Sequence, residues 1–246
     1  MKIIRDIPYT KTGKECIDLY LPEDKPKSTF LYFHGGGIEA GDKNHADAFA
    51  SYLADRGVAL FSANYRMYPT AKYPEFIVDS AEAVKWSLDY IRENFDGIKL
   101  YVGGSSAGGY ISMMLSFDTS YLKNVGVNPD EVAGYLHDAG QPTAHFNVLR
   151  ERGIDSRRII IDESAPLYHI GTSEKYPPMR FIVSDNDITN RYEQTMLTLK
   201  TLEHFGYEGY DYVLMHGKHV QYVHEIGEDG VSPMGKLIYD FISKFE

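Results

Sequence analysis

The sequence contains a single cysteine, Cys16, among 246 residues. No internal disulfide can form, which agrees with a reducing compartment. Basic residues are also in deficit, because 25 Lys and Arg face 35 Asp and Glu and leave a net charge of −10. This acidic balance argues against a nucleic-acid partner, which would need a basic footprint, and against an anionic membrane surface.

Long apolar runs are missing as well. No stretch approaches the roughly 20 residues of a membrane-spanning helix, and residues 1–6 reach an aspartate before any run long enough for a signal peptide. We therefore expect a cytoplasmic protein without a membrane partner. A content of 43% hydrophobic and 24% charged residues is typical of a globular protein, and this length fits one α/β domain spanning residues 1–246.

Short apolar segments alternate with helical periodicity through most of the chain, which is typical of a parallel sheet with helices on both faces. Before residue 22 the pattern instead favours two antiparallel strands with a turn at residues 12–14. The clearest helix has apolar residues at steps of four and three, so that one face packs on the sheet. These residues are Ile77, Ala81, Val84, Leu88 and Ile91.

Further helices are predicted over residues 44–56, with Asn44 as the cap, over residues 189–205, and after a Ser232 cap. Later core strands are predicted at residues 132–136, 180–183 and 210–215. The connection at residues 141–178 is long for a compact domain, and connections of this length are usually functional. We expect it to form a small cap over the active site.

Residues 104–108 read Gly-Ser-Ser-Ala-Gly, a G-x-S-x-G pentad directly after an apolar strand segment. A strand that turns sharply into a helix can lift the central hydroxyl clear of the backbone, but the turn tolerates only glycine-sized neighbours. Gly104 and Gly108 meet that requirement. The pattern predicts a nucleophile elbow with Ser106 as the nucleophile.

Residues 34–37, His-Gly-Gly-Gly, follow a second β-prone segment about seventy residues upstream of the pentad. Loops of this type offer backbone N–H groups to an oxyanion. The histidine is expected to brace backbone carbonyls, not to act as the base. The predicted oxyanion-hole donors are the N–H groups of Ala107, of Gly36 and of either Gly35 or Gly37.

A serine nucleophile needs a histidine base and a carboxylate that fixes the tautomer of that histidine. When an elbow carries the serine, the acid and then the histidine follow in chain order, in loops beyond the carboxyl ends of later strands. Asp185 and Asp187 both follow the strand predicted at residues 180–183. We favour Asp187 because Asp185 is close enough to the strand to hydrogen-bond the turn. Asp138 is a further candidate.

Two histidines follow the last predicted strand. His216 still belongs to the strand end, whereas the turn at Gly217 gives His219 the reach to approach the serine, so we favour His219 as the base. A metal site built from His216, His219 and His224 is disfavoured, because no cysteine lies nearby and the spacing is not that of a helical metal motif. We predict no metal.

Together these residues resemble the α/β-hydrolase superfamily, specifically its hormone-sensitive-lipase-like and small bacterial carbohydrate-esterase branches. Residues 41–43, Gly-Asp-Lys, look like the G-D-K continuation of the family's glycine loop. Residues 64–69, Asn-Tyr-Arg-Met-Tyr-Pro, resemble its N-Y-R-L-A-P segment, and Pro74 and Asp79 fit the same stretch. The resemblance implies an eight-stranded, mostly parallel sheet, a Ser-Asp-His triad and no cofactor.

The sequence also departs from that family. Ser105 replaces the acidic residue of the G-D-S-A-G form, and residues 216–219, His-Gly-Lys-His, replace its H-G-F. Long cap helices before the first strands, which the lipase branch carries, are absent from this sequence. These departures favour short acyl esters or sugar esters over long-chain lipids.

We therefore predict a serine carboxylesterase that acts on small-molecule esters, with acetyl or feruloyl esters of plant carbohydrates as candidates. An aryl-formamidase resembling kynurenine formamidase, with the same triad, is the alternative. A second alternative is a non-catalytic receptor, because plant gibberellin receptors resemble this fold but have lost the catalytic histidine. The sequence leaves a homodimer open.

Overall fold

One sheet of eight strands forms the centre of the protein. The computed structural model describes residues 1–10, 15–228 and 230–245, so the turn predicted at residues 12–14 lies outside the described residues. The strands are β1 (Lys2–Pro8), β2 (Cys16–Leu21), β3 (Ser28–Phe33), β4 (Val58–Ala63), β5 (Lys99–Ser105), β6 (Val132–Asp138), β7 (Met179–Asn186) and β8 (Tyr210–Lys218).

The strands lie in the order β1-β2-β4-β3-β5-β6-β7-β8. β1 pairs with β2, and β2 with β4, in antiparallel fashion, whereas all later pairs are parallel. The predicted fold class, a mostly parallel eight-stranded sheet, is therefore confirmed. Parallel neighbours need crossover connections, and the helices between the strands supply them.

Eight α-helices accompany the sheet within the described ranges. They are α1 (Asp47–Ala54), α2 (Glu75–Asn94), α3 (Ala107–Phe117), α4 (Ser120–Asn124), α5 (Phe146–Glu151), α6 (Pro166–His169), α7 (Arg191–His204) and α8 (Pro233–Phe245). Ser232 Oγ accepts a hydrogen bond from Gly235 N at 3.1 Å, so the predicted cap of α8 is confirmed. The prediction for Asn44 is wrong. Asp42 accepts from Asn44 N and begins a 3₁₀ turn, Lys43–Ala46, that precedes α1.

The core has two halves, one on each face of the sheet. Strand β3 shows how the sequence builds both, because its side chains alternate between the faces. Leu31 and Phe33 pack in the half that contains α2 and α3, while Phe30 and Tyr32 pack in the half that contains α1 and α8. All five apolar residues predicted to form the inner face of α2 are buried. Both faces of the parallel sheet are thus covered.

The carboxyl ends of the parallel strands meet at one edge of the sheet. Register pairs Phe33 of β3 with Gly104 of β5, and Ser105 of β5 with Asp138 of β6. The residues that follow these strands therefore converge at this edge, which is where ligand sites form in open α/β sheets. Among residues 1–10, 15–228 and 230–245, no helix is both long and apolar enough to cross a membrane.

Candidate active site

Ser106 lies in the sharp turn between β5 and α3. Its backbone has φ 56° and ψ −109°, a conformation that non-glycine residues rarely adopt and that nucleophile elbows require. A Cβ added at Gly108 would lie 1.9 Å from Phe33 O, and one added at Gly104 would lie 2.5 Å from the same atom. Only glycine fits at either position, so the backbone packing explains the pentad.

Ser106, His219 and Asp187 form a continuous hydrogen-bonded relay. Ser106 Oγ lies 2.8 Å from His219 Nε2, and His219 Nδ1 lies 2.5 Å from Asp187 Oδ1. The side chain of Asp187 is only 1% exposed, and its Oδ1 also accepts from Ile188 N at 2.8 Å. The carboxylate thus accepts a hydrogen bond from Nδ1–H, which leaves the lone pair of Nε2 directed at the serine hydroxyl.

The turn after β8 brings His219 to the serine. Gly217 has φ +124° and Val220 has φ +47°, so residues with positive φ lie close to His219 on both sides of it in the chain. Ser184 Oγ donates to Lys218 O at 3.1 Å and ties this turn to the end of β7. The position of His219 is therefore set by the backbone of the turn and by its pairing with the neighbouring strand.

Tyr222 anchors the same turn from the other side. Its hydroxyl donates to Asp138 Oδ1 at the end of β6, and the Asp138 side chain is fully buried. Burial raises the pKa of Asp138 to about 6 and raises the pKa of Tyr222 well above its usual range. Asp138 does not hydrogen-bond His219, so the geometry does not favour it as the triad acid. No sequence signal pointed to Tyr222.

Asp185 and His216, the alternatives to Asp187 and His219, form a separate pair at the surface. His216 Nδ1 lies 2.6 Å from Asp185 Oδ2, and the His216 side chain is 89% exposed. Gly217 N also donates to Asp185, and the hydrogen bond with His216 lowers the pKa of that carboxyl. Neither residue hydrogen-bonds Ser106. Within the described part of the chain, no group of three or more His, Cys, Asp or Glu residues could hold a metal ion.

The glycine loop lies directly beside Ser106. A Cβ added at Gly35 would come within 3.3 Å of Ser106 Cβ. Gly36 and Gly37 have φ +115° and +66°, a region that favours glycine. Among the described residues, no partner accepts a hydrogen bond from the N–H groups of Gly36, Gly37 or Ala107. These donors are available to an oxyanion at the elbow.

His34 braces this loop and stays neutral. Its Nδ1 lies 2.7 Å from Gly35 O, and its ring stacks on that of Tyr65 with 4.6 Å between centroids. Tyr65 OH donates to His34 O at 2.8 Å. Burial lowers the pKa of His34 to about 4, so the imidazole is a hydrogen-bond donor without charge at neutral pH. A Cβ at Gly41 would lie 2.3 Å from Gly35 O, which explains the glycine of the Gly-Asp-Lys segment.

The segment at residues 64–69 supports the loop from outside. Asn64 Oδ1 accepts from Lys43 N at 2.7 Å, and Asn64 Nδ2 donates to Asp42 at 2.9 Å. Arg66 makes two hydrogen bonds of 2.8 Å with the buried Asp79 carboxylate. Bidentate contacts of this kind fix orientation as well as distance. Asn64 thus holds the Gly-Asp-Lys segment that follows the glycine loop, and Arg66 ties residues 64–69 to α2.

The segment predicted as a cap, residues 141–178, lies against the glycine loop. Asn147 Nδ2 donates to Gly37 O at 2.9 Å, and Arg150 forms an ion pair with Glu39. A Cβ at Gly37 would lie 2.8 Å from Phe146 Cζ, so this ring packs on the loop. Asn147 was not anticipated from the sequence, because an asparagine early in a short helix carries no distinguishing pattern.

Comparison with known proteins matches residues 30–136 to a family described as α/β hydrolase fold. The matched stretch contains the glycine loop and Ser106 and ends before Asp187 and His219. Probable carboxylesterase 8 of Arabidopsis thaliana is 31% identical over 127 residues, 44% of this chain and 39% of that protein. Esterase LipI of Mycobacterium tuberculosis is 31% identical over 97 residues, 39% of this chain and 30% of that protein.

An AB hydrolase superfamily protein of Schizosaccharomyces pombe is 39% identical over 93 residues, which make up 35% of this chain and 26% of that protein. The chain thus spans less than half the length of these three curated relatives. Esterase B from Lactobacillus rhamnosis superposes with a TM-score of 0.78 at 19% identity, covering 98% of this chain and 85% of that chain. A thermophilic esterase from Thermogutta terrifontis gives 0.74 at 19% identity, covering 99% and 91%.

At 19% identity the likeness to solved structures concerns the fold alone. The family match and the curated relatives support the same relationship independently, from sequence. Both agree with the sheet order and the elbow geometry. Residues 30–136 are thus similar to the family described as α/β hydrolase fold, and nearly the whole chain shares the fold of solved esterases.

Proposed function

We propose that this chain is a serine carboxylesterase that hydrolyses short-chain acyl esters of small molecules. One observation carries the proposal. The serine hydroxyl at the elbow lies 2.8 Å from an imidazole whose other nitrogen lies 2.5 Å from a buried carboxylate. A surface serine without a function has no need of a strained turn and an oriented base.

In the acylation half, Ser106 Oγ forms a bond to the ester carbonyl carbon while its proton passes to His219 Nε2. The carbonyl oxygen becomes an oxyanion, and the N–H groups of Gly36, Ala107 and one further glycine of the loop stabilise it. The carbon–oxygen bond to the alcohol then breaks. The leaving alcohol takes the proton from Nε2, and the acyl group remains on the serine.

In the deacylation half, a water molecule attacks the acyl carbon and gives one proton to His219 Nε2. The bond to Ser106 Oγ breaks, the serine recovers its proton, and a carboxylic acid is released. Asp187 remains ionised throughout, because its role is to orient the imidazole and stabilise the imidazolium. No cofactor enters either half.

The short-chain preference is supported by the segment at residues 141–178, which packs on the glycine loop, and by the solved structures. One Thermogutta terrifontis esterase structure has butyrate bound, and one Lactobacillus esterase structure is inhibited by a tributyrin phosphonate. Within this class, acetyl and feruloyl esters of plant carbohydrates are the finer prediction. A cytoplasmic location also stays a prediction, and a homodimer is left open.

Replacement of Ser106 by alanine tests the proposal. Wild-type protein is expected to hydrolyse p-nitrophenyl acetate and butyrate, and Ser106→Ala is expected to lose at least about 10³-fold in kcat, because the bond-forming oxygen is gone. A circular dichroism spectrum and melting temperature like those of the wild type are the control. Full activity in the folded variant would refute the assignment of Ser106.

A substrate panel separates the esterase from its rivals. The esterase is expected to prefer acetyl, butyryl or feruloyl esters, whereas an aryl-formamidase would prefer N-formyl aryl amides. A fluorophosphonate probe addresses the receptor hypothesis, because it labels only an activated serine. Absence of labelling would favour a non-catalytic receptor.

A further inference from the structure

Arg191, the first residue of α7, is a buried guanidinium that makes no ion pair with any residue the structure describes, although the Asp187 carboxylate acts on it at longer range. The residue is 4% exposed, and its Nε and Nη1 make no hydrogen bond within the described part of the chain. The charge cannot be discarded, since an arginine remains protonated in proteins. Burial lowers the pKa of Arg191 only to about 10. A buried, unpaired cation of this kind is strongly unfavourable unless something else satisfies it.

Arg191 is one of the residues that line a cavity of about 490 Å³. One wall comes from the segment at residues 141–178, through Gln141, Phe146 and Arg158. The other wall comes from the turn after β7 and the start of α7, through Asn190 and Gln194. The cavity is large enough for a small organic acid or ester, and polar side chains of both walls face it.

This cavity adjoins the proposed catalytic residues on two sides. Phe146, in one wall, packs on Gly37 of the glycine loop. Ile188, in the other, directly follows Asp187 in the chain and donates its N–H to the Asp187 carboxylate. A molecule whose ester group lay at Ser106 could therefore extend into the cavity past the oxyanion hole.

The charges around the cavity are of one sign. Arg157 and Arg158 line it together with Arg191, and no acidic side chain does. Arg157 is already paired with Asp155, whereas Arg158 makes no ion pair with any residue that the structure describes. A cation in the first turn of a helix is also opposed by the helix dipole, which favours an anion there. The cavity combines an unpaired guanidinium with a second cation and a helix N-terminus.

We propose that this cavity, hereafter the Arg191 pocket, binds a carboxylate carried by the ester substrate, so that the enzyme acts on acidic esters. This inference rests on the proposed function, because it takes the bound molecule to be an ester substrate. The binding of an anion at Arg191 can nevertheless be measured without catalysis. A guanidinium pairs with a planar carboxylate in a bidentate manner, through Nη2 together with either Nε or Nη1, and a neutral oxygen cannot make that pair. Gln194 and Asn190 supply further polar groups.

Calorimetry on the 246-residue chain tests the binding step. In a Ser106→Ala background, so that no ligand is hydrolysed, monomethyl glutarate is expected to bind at least tenfold more tightly than dimethyl glutarate. Arg191→Gln is expected to remove that difference, and Arg191→Lys to keep only part of it, because a point charge lacks the bidentate geometry. Inorganic phosphate, titrated in parallel, shows whether the pocket prefers a carboxylate or accepts any oxyanion.

Arg92→Gln is the matched control. Arg92 is an exposed arginine on α2 that pairs with Asp89 and Glu131, and it does not line the pocket. Its loss changes the net charge by the same amount as the loss of Arg191. The preference for the anionic ester is expected to persist in Arg92→Gln.

Kinetics then place the carboxylate on the acyl or the alcohol side. The ratio of kcat/KM for mono-p-nitrophenyl glutarate to that for p-nitrophenyl pentanoate reports the acyl side, and 4-acetoxybenzoate against its methyl ester reports the alcohol side. One of these ratios is expected to fall about 10–100-fold in Arg191→Gln. The other is expected to change little.

The outcomes separate the two proposals. If anionic and neutral ligands bind equally to the wild-type pocket, or if Arg191→Gln leaves the preference intact while folding normally, the Arg191 pocket is not an anion site, although the esterase proposal stands. If the anion binds at Arg191 but no ester is hydrolysed and no fluorophosphonate is incorporated, the esterase proposal fails and the anion site stands.

Discussion

Two aspartate–histidine pairs lie side by side at the ends of β7 and β8, and exposure separates them. His219 is 20% exposed and its partner Asp187 is 1% exposed, whereas His216 is 89% and Asp185 40% exposed. A hydrogen bond at the surface competes with water and is weak, while the buried pair is shielded from it. Chemistry that needs an oriented imidazole is therefore expected at the buried pair.

Replacement of each aspartate by asparagine tests this difference between the pairs. Asp187→Asn is expected to lower kcat on p-nitrophenyl acetate by about 10⁴-fold, because an amide fixes the wrong tautomer of His219 for the proposed mechanism. Asp185→Asn removes the same charge from the neighbouring pair, and its kcat is expected to stay within twofold of the wild type. The assignment would be contradicted by the reverse pattern, with Asp185→Asn impaired and Asp187→Asn active.

At the scale of elements, the turn after β8 is held at both ends. Ser184 Oγ ties Lys218 to β7, and the Tyr222 hydroxyl ties the following 3₁₀ turn, Gln221–Val223, to Asp138 at the end of β6. His219 lies between these two anchors. The turn can therefore present the imidazole to the elbow although serine and histidine are 113 positions apart in the chain.

Removal of the Tyr222 hydroxyl is expected to weaken both the fold and the relay. In Tyr222→Phe the Asp138 carboxyl loses its donor, which should cost about 1–3 kcal/mol in the free energy of unfolding. The kcat is expected to fall more than the KM rises, because the turn that carries His219 is less well held. The double variant Asp138→Asn/Tyr222→Phe is expected to regain stability, since no charge is left unpaired.

Tyr121→Phe serves as the control for Tyr222→Phe. The Tyr121 hydroxyl is also hydrogen-bonded, in this case to the hydroxyl of Tyr73, but Tyr121 lies on α4, outside the site. It should leave kcat at the wild-type value. Wild-type kcat and stability in Tyr222→Phe would show that the anchor has no role.

The elements themselves were largely predictable because their sequence patterns are local. The face of α2 and the cap of α8 follow from spacing and residue type. The helix cap at Asn44 was misassigned because Asp42, two residues earlier, is an equally good cap and the chain first forms a 3₁₀ turn. Propensity does not distinguish such neighbours, and the packing of the turn decides between them.

For the whole molecule, buried histidines make stability depend on pH. Burial lowers the pKa of His34 to about 4 and those of His137 and His145 to about 3. In the unfolded chain these groups take up protons near pH 6.5, so the stability present above that pH is lost as pH falls. Asp138 acts in the opposite direction, because its folded pKa of about 6 lies above its unfolded value and the native state holds the extra proton.

The net effect is measurable by urea unfolding between pH 6 and pH 4.5. Three protons taken up by the unfolded histidines against one held by native Asp138 leave about two, so these four groups should lower the free energy of unfolding by about 2.7 kcal/mol per pH unit. His224, whose pKa burial also lowers, acts in the same direction as the other histidines. His137→Gln can keep a hydrogen bond to Ser112 and does not titrate. Its slope is expected to be shallower by about 1.4 kcal/mol per pH unit. An unchanged slope would contradict the contribution of His137.

The sequence by itself determined the parts whose physics is local. Glycines at positions 104 and 108 indicate a tight turn because no side chain fits beside the Phe33 carbonyl. The glycine loop likewise indicates available N–H groups, and the strand and helix periods indicate a parallel sheet. The convergence of Ser106, Asp187 and His219 at one edge of the sheet could be anticipated because the carboxyl ends of parallel strands meet there.

Only the tertiary structure decided between neighbours that look alike in sequence. Asp185 and Asp187 differ by two positions, and which one is buried depends on the turn after β7 packing against the turn after β8. The unpaired guanidinium of Arg191 and the anchor at Tyr222 are also invisible in sequence, although a cation in the first turn of a helix is a weak sign. The burial and the hydrogen-bond partners of these side chains depend on segments that are distant in the chain, so no local sequence pattern encodes them.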